Sequence, residues 1–216
     1  MRNDREATLA ALRTRKVVAV IRLDGDELVE DAVEALCRGG ISCIEITMTV
    51  PHAATAIRRV CRNRELIVGA GTVMSREAVD ACADAGAQFI VSPVFLPEVV
   101  AHARERGCVA IPGALTPTEV FLAWRFGADM VKIFPAARLG PQFIADLKAP
   151  FPEIPLMPTG GITDKTVASY LEVGADAVCA GSWLLDPSVL ATRRFDLIEE
   201  RARMLSESVA KWRPQP

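Results

Sequence analysis

Eight short apolar runs alternate with stretches of helical length along this chain, and that alternation limits its fold more than any other feature. The runs cover 17–21, 41–46, 66–69, 88–91, 109–111, 130–134, 156–157 and 177–180. They are continuously apolar rather than alternating, as expected for parallel strands buried on both faces. Five of the intervening stretches end alike. Leu36-Cys-Arg-Gly-Gly-Ile, Ala83-Asp-Ala-Gly-Ala-Gln, Arg104-Glu-Arg-Gly-Cys-Val, Trp124-Arg-Phe-Gly-Ala-Asp and Leu171-Glu-Val-Gly-Ala-Asp each place glycine just past the last helical turn. Glycine accepts the left-handed conformation that stops a helix, and the next strand then begins.

Helix starts are legible too. Thr116-Pro-Thr-Glu offers a hydroxyl cap, a proline at the first helical position and a glutamate at the third. Ser75-Arg-Glu-Ala and Thr163-Asp-Lys-Thr are similar. A leading helix is expected over about 5–15 and a trailing one over about 193–211. With no linker or low-complexity segment, the whole of 1–216 reads as a single α/β domain. The expected fold is a (β/α)8 TIM barrel with an extra N-terminal helix; an open, doubly wound sheet is the alternative that element order leaves standing.

Composition narrows the function. The net charge of −2 supplies no field for nucleic acid or an anionic membrane, and no apolar run has the length of a membrane span. The polar N-terminus lacks the apolar core of a signal peptide, so a cytoplasmic protein is expected. Six cysteines form no C-x-x-C pair and read as free thiols in a reducing compartment. With two histidines, His52 and His102, a histidine-based metal cluster is not expected. His52 reads as a loop or helix-start residue, and His102 as structural.

In a barrel of this kind the reactive groups sit at the C-terminal ends of the strands. Those ends offer Arg22, Glu45 with Thr47, Thr72, Ser92-Pro93, Pro112, Lys132, Thr159-Gly160-Gly161 and Gly181-Ser182. Lys132 lies in an otherwise apolar strand. Burial disfavours an ammonium ion, and the neutral amine is what attacks a carbonyl. Glu45 is placed to move protons for such an attack; the plainer alternative is a carboxylate that only pairs with Lys132 or Arg22. The glycines at 160, 161 and 181 let backbone N–H groups approach a phosphate, helped by the N-termini of the helices that follow.

These residues carry a resemblance. Val17-Val-Ala-Val-Ile-Arg, Ile44-Glu-Ile-Thr, Val68-Gly-Ala-Gly-Thr-Val, Gln88-Phe-Ile-Val-Ser-Pro, Ile111-Pro-Gly-Ala-Leu-Thr-Pro-Thr-Glu, Val131-Lys-Ile-Phe-Pro-Ala, Pro158-Thr-Gly-Gly-Ile and Gly181-Ser-Trp-Leu occur in order. Over about 16–185 the chain resembles the 2-keto-3-deoxy-6-phosphogluconate (KDPG) aldolase family, which also holds 4-hydroxy-2-oxoglutarate and 2-dehydro-3-deoxy-6-phosphogalactonate aldolases. The resemblance implies a class I aldolase with Lys132 as the Schiff-base lysine and Glu45 as general acid and base. It implies that Thr72 and Pro93 contact the pyruvate part and that Phe134 lines the pocket. By the same resemblance Thr159 touches the sugar hydroxyls, and Gly160, Gly161, Gly181 and Ser182 cradle the phosphate. It also implies a homotrimer that needs no metal or other cofactor, its partner being a phosphorylated 2-oxo acid.

Two departures stand out. Thr49 occupies a position where some members carry a carboxylate-binding arginine, and Arg22 is expected to take that role. Val94 replaces a glycine common among relatives, which restricts the loop after Pro93. The competing readings are a phosphosugar isomerase or epimerase without imine chemistry, and a barrel that binds phosphate ligands without catalysis.

Overall fold

A computed structural model describes residues 4–212. The chain starts with α1 (Arg5–Arg15), capped by the Asp4 carboxylate accepting from Ala7 N–H at 3.1 Å. Parallel strands follow: β1 (Val17–Ile21), β2 (Cys43–Thr47), β3 (Ile67–Gly71), β4 (Phe89–Val91), β5 (Val109–Ile111), β6 (Gly113–Ala114), β7 (Val131–Ile133), β8 (Leu156–Pro158) and β9 (Val178–Ala180). Between them run α2 (Val29–Arg38), α3 (Ala53–Val60), α4 (Arg76–Ala85), α5 (Pro97–Glu105), α6 (Pro117–Arg125), α7 (Gly140–Lys148) and α8 (Val167–Glu172). The short α9 (Pro187–Ala191) and the long α10 (Phe195–Lys211) end the described residues. No helix among them is long and apolar enough to cross a membrane.

The expected strand positions are right, but several limits move. The second and third strands run on to Thr47 and Gly71, beyond the apolar residues that marked them. The fifth is split by Pro112, which has no N–H to give a ladder, into β5 and β6. All five glycine-terminated junctions hold: Gly40, Gly86, Gly107, Gly127 and Gly174 adopt positive φ. Thr116 forms the expected capping box with Glu119, and Ser75 caps α4. Thr163 does not cap a helix. It is the first residue of a turn closed by Thr166, and α8 begins after that. The trailing helix is α10, beginning at Phe195 rather than 193.

The strands are ordered β5-β4-β3-β2-β1-β9 in one sheet and β6-β7-β8 in another. A bridge between Thr159 and Cys179 joins β8 to β9. At the other seam, Asp129 N–H donates to Ala110 O and Lys132 N–H to Pro112 O, both at 2.9 Å. The result is a curled parallel α/β sheet with an apolar layer on each side. On the convex side, Ala19, Ile44, Ile46, Val68, Ala70, Ile90, Val131, Ile133, Val178 and Ala180 pack with the helices. On the concave side, Val18, Cys43, Phe89, Val109, Met130, Met157 and Cys179 pack together, and Leu12 of α1 covers their N-terminal edge. Because side chains alternate across a strand, this assignment fixes what else points inward: Glu45 and Thr47 above Cys43, Gly71 above Gly69, Lys132 above Met130, and Thr159 above Met157.

Candidate active site

Strand polarity therefore brings Glu45, Lys132, Thr159 and Cys179 to one concave space at the C-terminal ends of the strands. Lys132 keeps 7% of its surface, and its amine makes no hydrogen bond or ion pair among the described residues. Its Nζ lies 5.5 Å from the centroid of the Phe134 ring, two residues on. Glu45 is more deeply buried, at 1%, and its Oε1 is sealed from solvent with no hydrogen-bond partner. The two groups share the space without pairing, which removes the structural alternative of a Lys132–Glu45 bridge. Arg22 does not pair with Glu45 either. Burying an unpaired charged or polar group costs several kcal/mol. The space between amine and carboxylate is thus chemically unfinished, and a ketone placed there meets a nucleophile on one side and a proton carrier on the other.

The room for Glu45 comes from β3. A Cβ on Gly71 would lie 1.9 Å from Glu45 Oε1, and one on Gly69 would lie 2.3 Å from the Phe89 ring. Both glycines clear the concave face for a neighbour's side chain. On the other side, the Cys179 thiol faces Glu45 Oε2 at 3.9 Å and Met157 Sδ at 3.5 Å. Burial first, and the adjacent Glu45 second, push this thiol far above its ordinary value, so it stays an S–H group. Gly71 and Cys179 were not among the expected site residues.

Arg22 follows β1 and is exposed. Its guanidinium donates to Thr49 Oγ1 at 2.9 Å and to Thr72 Oγ1 at 3.2 Å, and Thr49 shares a 2.8 Å hydrogen bond with Thr47. Thr49, standing where an arginine was expected in some relatives, holds Arg22 instead. Thr72 pays for its place with φ +58, a conformation that β-branched residues avoid and that marks stored strain. Pro93 is half-buried just past the end of β4, and the Pro93 carbonyl comes so close to β6 that a Cβ on Gly113 would meet its oxygen at 2.2 Å. Ser92 Oγ donates to Val94 O at 2.8 Å, which pins the loop that the exposed Val94 side chain restricts.

Thr159 is buried, and its hydroxyl donates to Met157 O at 3.2 Å, pointing down into the core. After it, Gly160 and Gly161 take φ +96 and +73, and a Cβ on Gly160 would rest 3.5 Å from the Phe134 ring. The N–H groups of Gly161 and Ser182 find no acceptor among the described residues, while the bridge between Thr159 and Cys179 turns the Gly160 N–H toward β9. The expected help from helix N-termini is not there. α8 begins at Val167 and α9 at Pro187, each several residues past its turn, and they are 6 and 5 residues long. Free peptide N–H groups are what these turns offer.

The remaining candidates are structural. His52 precedes α3 at φ +55 and makes no cap bond. His102 is held between Asp80 and Glu105, each at 2.9 Å. A cavity of about 720 Å³ lies at the other end of the sheet, lined by Arg64, Gln88, Arg106 and neighbours, and it contains none of the strand-end groups. A groove of about 420 Å³ opens beside Arg22, between the end of β1 and α9.

The family model described as KDPG and KHG aldolase matches residues 9–201. The chain belongs to this family. It is 38% identical to the 2-dehydro-3-deoxy-phosphogluconate aldolase of Treponema pallidum, covering 87% of this chain and 90% of that one. It is 36% identical to the 2-dehydro-3-deoxy-6-phosphogalactonate aldolase of Escherichia coli, over 78% of this chain and 82% of that one. The KDPG aldolase of Legionella pneumophila, solved with pyruvate captured as a covalent carbinolamine, superposes with a TM-score of 0.84 at 28% identity, covering 92% of this chain and 97% of that one. Membership in the KDPG and KHG aldolases makes the chain a carbon–carbon lyase, and the resemblance drawn from its motifs is correct.

Proposed function

We propose that this aldolase cleaves a phosphorylated 2-keto-3-deoxy hexonate, KDPG or its galactonate epimer, to pyruvate and glyceraldehyde 3-phosphate through an imine on Lys132. The observation that carries the reading is the Lys132 amine, without hydrogen bond or ion pair, in the same concave space as the buried Glu45 carboxyl, whose Oε1 has no partner. The carbinolamine captured in the Legionella relative supports it, and relatives named for both epimers leave the two substrates as one class.

As neutral Lys132 adds to C2 of the ketone, protonated Glu45 gives its proton to the oxygen and then takes one from the adduct's nitrogen, completing a neutral carbinolamine. Glu45 passes that second proton to the new hydroxyl, which leaves as water, so an iminium and the Glu45 carboxylate remain. The face of Phe134 stabilises this cation. The Glu45 carboxylate next takes the proton of the C4 hydroxyl. The C3–C4 bond breaks, its electron pair moves toward the iminium nitrogen, and the aldehyde departs from an enamine. Glu45 returns its proton to C3, and water hydrolyses the imine to free pyruvate and Lys132. The imine is the electron sink, so the scheme calls for no metal or other cofactor.

Arg22 clamps the substrate carboxylate, with Thr49 and Thr72 orienting it. Pro93 bounds the pyruvate end. The unpaired N–H groups of Gly161 and Ser182, with Gly160 and Gly181 keeping the approach open, receive the phosphate. Thr159 borders the sugar hydroxyls once its hydroxyl turns from Met157.

The two sheets complete the (β/α)8 barrel, α1 being its extra N-terminal helix. Supporting this are the continuity of β5 and β6 through Pro112 and the hydrogen bonds at both seams. Phe121, Leu122 and Phe126, exposed at 40%, 41% and 57% on and just after α6, support a homotrimer built on that face. Six free thiols fit a cytoplasmic enzyme.

Pyruvate release from both phosphorylated epimers and from 4-hydroxy-2-oxoglutarate tests the function. The wild type turns over a phosphorylated epimer fastest, and Lys132→Ala turns over none. Cleavage by Lys132→Ala, or no pyruvate from any of the three with wild type, overturns it.

A further inference from the structure

The turn after β9 is pinned from behind by a residue outside the site. Within it, Leu184 N–H and Leu185 N–H both donate to Gly181 O, at 2.9 and 3.0 Å. Those bonds close the turn on its inner side. On its outer side the Trp183 carbonyl accepts from Arg201 Nη1 of α10 at 2.8 Å. Trp183 O and Leu184 N–H belong to one peptide unit, so Gly181 and Arg201 fix its two ends. The Trp183 ring packs against the core, and Leu184 and Leu185 are buried, which leaves the unpaired Ser182 N–H on the free edge of an otherwise immobilised loop. Arg201 also acts on Asp186: that carboxyl, held below the ordinary range chiefly by the Ser188 hydroxyl and N–H, is lowered further by the arginine's charge. One guanidinium thus sits behind both the Gly181–Ser182 turn and the start of α9.

We propose that Arg201 is a positioning residue for the phosphate end of the substrate: by holding the Trp183 carbonyl it aims the Ser182 N–H, and its charge adds to the field at that turn. The proposal rests on the phosphate reading given above. It predicts an unusual separation of effects, because Arg201 touches neither the amine nor the carboxylate. Loss of the guanidinium weakens capture of a phosphorylated substrate and leaves the imine chemistry intact.

The test uses Arg201→Met, which keeps the apolar stem and removes the donor, and Arg201→Lys, which restores a donor. Each is assayed for cleavage of the phosphorylated substrate, for inhibition by inorganic phosphate, and for exchange of pyruvate methyl protons in D2O. That exchange needs the imine and the acid/base group but no phosphate. Arg201→Met should raise KM and the phosphate Ki roughly tenfold, the scale of one charge-assisted hydrogen bond, with kcat and pyruvate exchange within about twofold of wild type; Arg201→Lys should recover most of the loss. Unchanged KM and Ki in Arg201→Met refute the role. So does an equal loss in cleavage and pyruvate exchange, which is the mark of general loosening. If inorganic phosphate fails to inhibit even the wild type, the phosphate turn itself is refuted and Arg201's role with it, a result distinct from failure of Arg201 alone.

Discussion

Gly71→Ala should remove activity while leaving the nucleophile in place. The added Cβ would lie 1.9 Å from Glu45 Oε1, 2.6 Å from Cδ and 2.8 Å from Cγ. Ordinary contact begins at 3.4 Å, so the nearest oxygen must retreat by about 1.5 Å, the difference of the two distances. The strand cannot yield instead, because β3 is paired on both sides, to β2 and to β4. Glu45 therefore moves. A misplacement of about 1 Å costs on the order of 10²-fold in rate, and overpacking a core costs roughly 1–3 kcal/mol. The expected variant is folded, melts several degrees lower, and has kcat reduced by about two orders of magnitude.

Gly69→Ala is the control. The three atoms nearest its Cβ all belong to the Phe89 ring, the first at 2.3 Å, so it should lower the melting temperature at least as much with a much smaller loss of kcat. Circular-dichroism melting and pyruvate-release kinetics on both variants decide the matter. A Gly71→Ala enzyme with wild-type kcat would show that the carboxylate's position is not what catalysis depends on. Equal kcat losses in the two variants would reduce the effect to packing.

Two further outcomes follow from strain and from charge. Thr72→Gly relieves a left-handed backbone that a β-branched residue occupies at a cost of about 1 kcal/mol or more, so it should raise the melting temperature; it also removes the Thr72 hydroxyl from Arg22 and should raise KM for the 2-oxo acid several-fold, and a variant that is neither more stable nor weaker in KM contradicts the reading. Glu119 is held below the usual carboxylate range by the N–H groups of Leu115 and Thr116, in that order; its contribution is therefore present above the ordinary value of 4.5 and is lost as pH falls through the lower folded value. The melting temperature of wild type should fall more steeply below about pH 4.5 than that of Glu119→Gln, and parallel profiles would show that the capping box carries no such linkage.

The architecture was legible wherever a signal was local. Apolar runs located the strands, glycines located the helix ends, and Thr116 with Glu119 wrote one cap in four residues. Lys132 stood out because it is a lysine in an apolar strand. What escaped depends on neighbours distant in the chain. Gly71 looks like a loop residue until strand pairing carries β3 past the apolar segment. Gly71 has meaning only because Glu45 leans over it from the adjacent strand, and Cys179 read as one more core thiol until the curl set it against the same carboxylate. The helix dipoles expected behind the glycine turns failed for a local reason: the Thr163–Thr166 turn and the Gly181 turn consume the residues that would have begun a helix sooner. Arg201 gave no signal at all, since it stands on an outer helix and reaches the site through another residue's carbonyl.

Reduction of the enzyme with borohydride in the presence of pyruvate, followed by peptide mass analysis, addresses the covalent step itself. Lys132 should carry the reduced pyruvate adduct, alone among the lysines, and the label should vanish when Lys132 is replaced by alanine. An adduct on another lysine, or none with an enzyme that still releases pyruvate, would contradict the account.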